Sequence, residues 1–208
     1  MRRLFAALAA PMVLCACTLL PAPQSEPNHT LVLTARFADR VAQDPGHGAA
    51  LQVAPLRARP GYDTRGIVYT ERANELKVFA LNQWAAPPAD MLQPLIVDAL
   101  ARTGGIQSVS GPGGSASADL RLDGELVRLH HDFISTPSHV ELALRVQLVD
   151  VGAGRVLATH EFVETESATS DDAYAGVLAA SRALSRVLAD LAAFCATQVA
   201  QWREPALQ

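Results

Sequence analysis

No cluster of lysine and arginine occurs anywhere in the 208 residues, and the formal net charge is -4. A groove for nucleic acid needs a basic stripe to neutralise phosphates, so that class is excluded. No C-x-x-C or H-E-x-x-H spacing is present, which leaves metal-site chemistry without its usual ligand sets. No G-x-S-x-G elbow is found, and the glycines at 104–105 and 111–114 lack the strand, helix and lysine of a phosphate loop. No apolar run after residue 20 is long enough to cross a bilayer as a helix. No internal repeat is evident. Aromatics make up only 5% of the chain, yet 50% is hydrophobic, enough to fill the core of one ordinary domain. With no nucleophile and base at a workable spacing, the expectation is a non-enzymatic protein without cofactor or metal.

What is present begins at the amino terminus. Arg2 and Arg3 form a positive region, and Leu4 to Leu14 an apolar stretch of signal-peptide length, too short to span a membrane. Leu14-Cys15-Ala16-Cys17 then resembles the lipobox of bacterial lipoproteins. In that family the thiol at the position of Cys17 is alkylated by diacylglycerol, cleavage before it frees an amine, and a further acyl chain such as palmitate is added. Several chains anchor a protein stably where one does so only marginally. The resemblance implies a leader over 1–16, an acylated Cys17, and a protein held on a bacterial envelope membrane facing the periplasm. The alternative is an ordinary leader cleaved after Ala16 without acylation. Thr18, rather than Asp, after the lipidated position favours the outer membrane by the enterobacterial sorting pattern. Cys15 leaves with the leader, so Cys195 is the only thiol left to the mature chain. On the apolar face of a helix it reads as a small core residue.

Residues 17–29, with three prolines, read as an extended tether. From residue 30 to 203 strand and helix signals alternate, and 204–208 form a tail. Thr30 to Ala35, Leu51 to Leu56 and Ile106 to Ser110 are strand-length apolar runs, with a loop at Asp44 to Gly48. Ile67 to Thr70 and Leu76 to Leu81 read as a hairpin. Ala89 to Thr103 is helical, with Gly104 at its C-cap; Pro94 predicts either a kinked first turn or a regular helix starting near Gln93. Asp119 to Leu129 is a strand whose alternation slips at Leu126-Val127, which predicts a bulge. Val140 to Val149 alternates cleanly, with Glu141, Arg145 and Gln147 turned toward solvent or a partner, and pairs with Arg155 to Val163. A long helix over Asp172 to Trp202 closes the chain. Its stripe comprises Tyr174, Val177, Leu178, Leu184, Val187, Leu188, Leu191, Phe194 and Cys195. The order implies an α+β, two-layer domain: a mostly antiparallel sheet with two main helices on one face. The pair His130-His131 is expected to be solvated, because neighbours on a strand point to opposite faces and cannot chelate together. His139 and His160 could converge from adjacent strands.

Three spaced segments carry a wider resemblance. Asp63-Thr64-Arg65-Gly66-Ile67-Val68-Tyr69 is followed by Leu76 to Ala80, and then by Trp84-Ala85-Ala86-Pro87-Pro88-Ala89-Asp90-Met91-Leu92. Ala118-Asp119-Leu120-Arg121-Leu122 and the long final helix follow in order. This is similar to the ABC-type transport auxiliary lipoproteins, which include the paraquat-inducible protein C lipoproteins. Phe79 stands where many relatives carry Tyr. The resemblance implies an auxiliary component of a transporter whose substrate-binding part is a mammalian-cell-entry (MCE) domain, moving phospholipid or another hydrophobic cargo. It also admits a ring-like homo-oligomer. Trp84, Arg65 and Tyr69 are candidate partner contacts, although core packing is the stronger reading of Trp84 and turn chemistry that of Asp63 to Arg65. A structural lipoprotein of another envelope complex and a carrier of a single lipid are the alternatives.

Overall fold

In a computed structural model, which describes residues 28–37, 48–114 and 117–203, the expected α+β architecture is present. The leader, Cys17, most of the tether, residues 44–47 of the loop and the tail lie outside the described residues.

The strand with the cleanest alternation sits at the centre of the longest ladders. β8 (His139–Asp150) pairs antiparallel with β7 (Leu120–Asp132) on one side and with β9 (Arg155–Ser167) on the other, nearly end to end. Val140, Leu142, Leu144, Val146 and Leu148 are all at most 2% exposed, so a single face of β8 enters the core. The predicted bulge is there: the β7–β8 register shifts between Leu126 and Arg128. The extra residue, Val127, keeps Leu126 and Leu129 both on the core face while Arg128 turns outward.

The far edge of β7 is shared by three short strands in succession. β2 (Ala49–Val53) pairs with its start, β3 (Arg57–Ala58) with its middle and β4 (Gly66–Thr70) with its end, all parallel. β5 (Lys77–Trp84) returns antiparallel to β4 as the expected hairpin, and β1 (His29–Leu31) lies parallel beside β5. β6 (Ile106–Ser110) adds to β2. By paired length the nine-stranded sheet is mostly antiparallel.

α1 (Pro88–Ala101) and α2 (Ala173–Arg203) touch each other and cover the same face. α1 begins at Pro88, earlier than Gln93, because a proline at the first helical position lacks only an N–H that has no partner there anyway. Pro94 sits inside the helix on its exposed side, where the lost hydrogen bond faces water rather than core. The left-handed residue after α1 is Gly105, at φ +82°, not Gly104. α2 lies on β8 and β9 through Ala179, Ala183, Val187, Leu191 and Cys195, each fully buried. Two residues of the predicted stripe depart from it: Tyr174 is 61% and Leu178 41% exposed. The first turns of α2 bury Ala175, Gly176 and Ala179 in their place, so the contact stripe is rotated toward small residues that let the backbone approach the sheet.

Candidate functional site

Among the described residues no helix covers the second face of the β7–β8–β9 meander, and the side chains that point from it follow directly from the alternation. β7 contributes Arg121, Asp123, Glu125 and Arg128; β8 contributes Glu141 and Arg145; β9 contributes Glu161. These charges are paired within the sheet. Arg145 bridges its two neighbours, with Nη2 at 2.6 Å from Glu161 and Nη1 at 3.5 Å from Glu125. Arg59 reaches Glu125 at 3.6 Å, Arg121 holds Asp123 at 2.9 Å, and Arg128 holds Glu141 at 2.5 Å. Four arginines face four carboxylates, and Arg57, in register with Glu125, adds a fifth cation, so the surface is charged residue by residue yet close to balanced. Each pair is worth ~1 kcal/mol or less because its side chains remain partly in water. The chief effect is to fix the position of each charge. A polar hollow of about 180 Å³, lined by Arg57, Asp123, Glu125, Arg145 and Gln147, opens on this region.

At one corner the loop after β3 folds over the sheet. Tyr62 stacks on His130, and its hydroxyl lies 3.3 Å from Nδ1. His130 is therefore largely buried rather than solvated, and burial holds its pKa below the ordinary histidine range despite the Glu141 carboxylate nearby. Burial likewise pushes the Tyr62 hydroxyl up. For Glu141 burial acts to raise the pKa, but the Arg128 hydrogen bond and the charges of His130 and Arg128 outweigh it, and the net shift is downward.

His131 points through the other face, into the helix layer, and is also buried, at 3% exposed. The expectation of a solvated pair fails because both faces are covered at this end of β7, one by Tyr62 and the other by the start of α2. His131 Nε2 is 3.0 Å from the Ser138 hydroxyl, which donates to Asp171 at 2.5 Å. Sequence reasoning missed this trio, because the loop between Asp132 and Ser138 folds back and only the fold brings Asp171 alongside. Ser138 lies between the other two, so the trio ties β7, the β7–β8 loop and the start of α2 together. His139 and His160 do not converge. His139 lies at one end of β8, 3.7 Å from Glu141, whereas His160 is exposed at the side of α2, its ring against Phe162 and Phe194. Among the described residues no group of three His, Cys, Asp or Glu side chains could hold a metal ion.

The motif residues are largely structural. The Trp84 backbone N–H donates to the Arg65 carbonyl at 2.7 Å, which joins the Asp63–Tyr69 segment to the segment that begins at Trp84. Asp63 and Thr64 accept from the Gly61 and Gly66 N–H groups, the turn chemistry expected of them. Trp84 is 3% exposed, among Ile67, Val177 and Ala180, so its side chain has no free surface to offer a partner. Tyr69 is half-buried against Phe79 and Phe133, with ring centroids 4.5 and 5.8 Å away. Of the three candidate contacts, Arg65 alone is exposed. An apolar groove of about 220 Å³ lies between α1 and α2, lined by Phe37, Ala99, Leu188 and Ala192 together with Arg36 and Arg102. No helix of the described residues is long and apolar enough to cross a membrane.

A family model described as ABC-type transport auxiliary lipoprotein component matches residues 31–192. Among solved structures the chain is similar to protein XCC0632 from Xanthomonas campestris, with 25% identity, a TM-score of 0.74, and coverage of 83% of this chain and 97% of that one. An uncharacterized protein of known structure is similar at 15% identity and a TM-score of 0.61, covering 78% of this chain and 99% of its own, a likeness of fold alone. No curated protein matches the chain.

Proposed function

The chain belongs to the ABC-type transport auxiliary lipoprotein family, and from that premise we propose that it is a docking module of an MCE-type lipid transport system. Acyl chains on Cys17 fix it to the outer membrane, the proline-rich tether sets its reach, and the domain faces the periplasm. The open face of the β7–β8–β9 meander, with the edge of β9 that pairs with no other described strand, receives the MCE-domain protein.

The observation that carries this reading is the contrast between the two faces of one sheet. One is sealed by α1 and α2 over a filled core. The other carries eight charges locked in place by their own neighbours. A surface ordered before binding loses little side-chain entropy when a partner arrives, and a balanced pattern gives specificity without drawing in anions at large. Val156 and Val163 on β9, both more than half exposed, add apolar contact beside the charges.

A carrier of one lipid needs a cavity between sheet and helices. Beside Trp84, between sheet and α2, the space is only about 10 Å³, which weighs against a carrier that seats its lipid there. A structural lipoprotein of another envelope complex would show the same fold and differ in its partners. Affinity purification of the lipidated protein from crosslinked membranes tests the proposal. Recovery of an MCE-domain protein with its ATPase and permease supports it; recovery of an unrelated envelope complex alone rejects it.

A further inference from the structure

β1 runs parallel to β5, with His29 beside Asn82 and Leu31 beside Trp84. Read backward from Leu31 to His29, β1 therefore runs toward the start of β5 at Lys77. β4 places Tyr69 beside Lys77; β7 places Asp132 beside Thr70; β8 and β9 continue the row with His139 and Ser167. The β4–β5 turn, the β7–β8 loop and the start of α2 thus form one end of the domain, and the Val151 turn marks the other. A chain leaving at His29 has about 17 Å of β5 between it and the first end, at ~3.3 Å per residue. The twelve residues from Cys17 to His29 can span at most about 40 Å, and reaching the Val151 end would require them to double back along the sheet.

The end toward which β1 points at its amino terminus is also apolar. Leu76 is 50%, Val78 54%, Ile134 53% and Tyr174 61% exposed. Behind them Tyr69, Phe79 and Phe133 form a ring cluster, and the Phe133 N–H donates to the Thr70 carbonyl at 2.9 Å, so the two loops are braced as one surface. We infer that this end of the domain lies against the lipid surface that holds Cys17, with Leu76, Ile134 and Tyr174 entering the headgroup layer. The inference rests on the acylation of Cys17. A tethered domain needs little intrinsic affinity to stay there, because the anchor keeps its local concentration high. Tyrosine suits the boundary, with an apolar body and a polar tip. Charge does not drive the contact. Glu71, Glu75, Asp171 and Asp172 outnumber Arg72 and Lys77 at this end, so anionic lipid and low salt are not required.

The test uses the full acylated chain in vesicles of phosphatidylethanolamine and phosphatidylglycerol, with a polarity-sensitive fluorophore on Ile134→Cys, Leu76→Cys or Val151→Cys. Cys195 stays unlabelled, because burial pushes its thiol up to about 12. Quenching by spin-labelled lipid is expected to be roughly threefold stronger or more at positions 134 and 76 than at 151, and to persist in about 0.5 M salt. Equal quenching at both ends, with mass spectrometry confirming the acylated amino terminus, overturns the orientation and leaves the anchor standing. Dequenched, blue-shifted emission at position 134 without any effect of the lipid quencher assigns this end to protein contact and also overturns it. An unacylated amino terminus removes the anchor, and this inference with it.

Discussion

Gly176→Ala should weaken the fold, although the same change on an unobstructed helix would strengthen it. Gly176 closes the first turn of α2, its N–H donating to the Asp172 carbonyl at 3.1 Å. A Cβ built there falls 2.5 Å from His131 Nδ1 and 3.2 Å from both Cγ and Cε1. The imidazole cannot step aside readily: Ser138 holds Nε2 at 3.0 Å and the Phe133 ring lies 4.1 Å away, centroid to centroid. Helix propensity favours alanine by up to ~1 kcal/mol. Forcing a methyl into a filled space costs ~1–3 kcal/mol. The balance is a loss of about 1 kcal/mol, equivalent to roughly 2–4 °C in Tm for a domain of this size. In a His131→Ala background the obstacle is gone, and Gly176→Ala should then stabilise. Urea unfolding followed by far-UV circular dichroism on the four proteins of the cycle gives the coupling directly. If Gly176→Ala stabilises both backgrounds to within ~0.5 kcal/mol of each other, the packing argument is wrong.

Acidification should destabilise the domain before any carboxylate titrates. His130 and His131 are both lowered, by burial first, so the unfolded chain binds these protons more readily than the folded one. Stability is then full above pH ~6.5 and falls as the pH drops through and below that value, by at most about 2.7 kcal/mol per pH unit when both groups contribute; urea midpoints that stay flat down to pH ~5 would contradict it. Trp84→Ala should cost ~3–5 kcal/mol and Arg65→Ala no more than ~0.5 kcal/mol, a difference that thermal melts resolve and that a superficial Trp84 would abolish. Arg145→Met should lower stability by ~1 kcal/mol or less yet reduce recovery of the crosslinked partner; unchanged recovery would remove the open face from the docking proposal. The Cys195 thiol, pushed up to about 12, should react with a disulfide reagent only after denaturation, and prompt reaction in the native protein would mean that α2 opens.

What could be read from the chain beforehand was whatever repeats locally. The alternation of β8 and the slip in β7 concern residues two apart, and both appear in the structure where the pattern put them. The three parallel strands on one edge of β7 could not be read that way. Their pairings join residues far apart in the chain, and β3 is only two residues long, without a period to detect. The stripe on α2 failed at Tyr174 and Leu178 for a related reason. A pattern weighted by large apolar side chains overlooks Ala175, Ala179 and Ala183, which set the contact by being small. His130 and His131 were misread because coverage of both faces of β7 at one point is a property of the assembled layers.

The same distinction explains why the family was legible and the docking surface was not. The residues that carry the resemblance mostly hold the fold together. Trp84 fills the core, its backbone N–H donates to the Arg65 carbonyl, Pro88 starts α1, and Asp119 receives the Ala50 N–H at 2.8 Å to begin β7. Replacing any of them disturbs burial or a backbone hydrogen bond, so a spaced signature survives in sequence. On the open face each charge needs only an opposite charge beside it, along the strand or across it, a condition that many residue pairs meet at similar cost. Such a surface can change with its partner while the sheet beneath it stays the same. A motif therefore identifies the scaffold, and under the docking proposal the choice of partner rests on the charge pairs of the open face, where no single residue announces it.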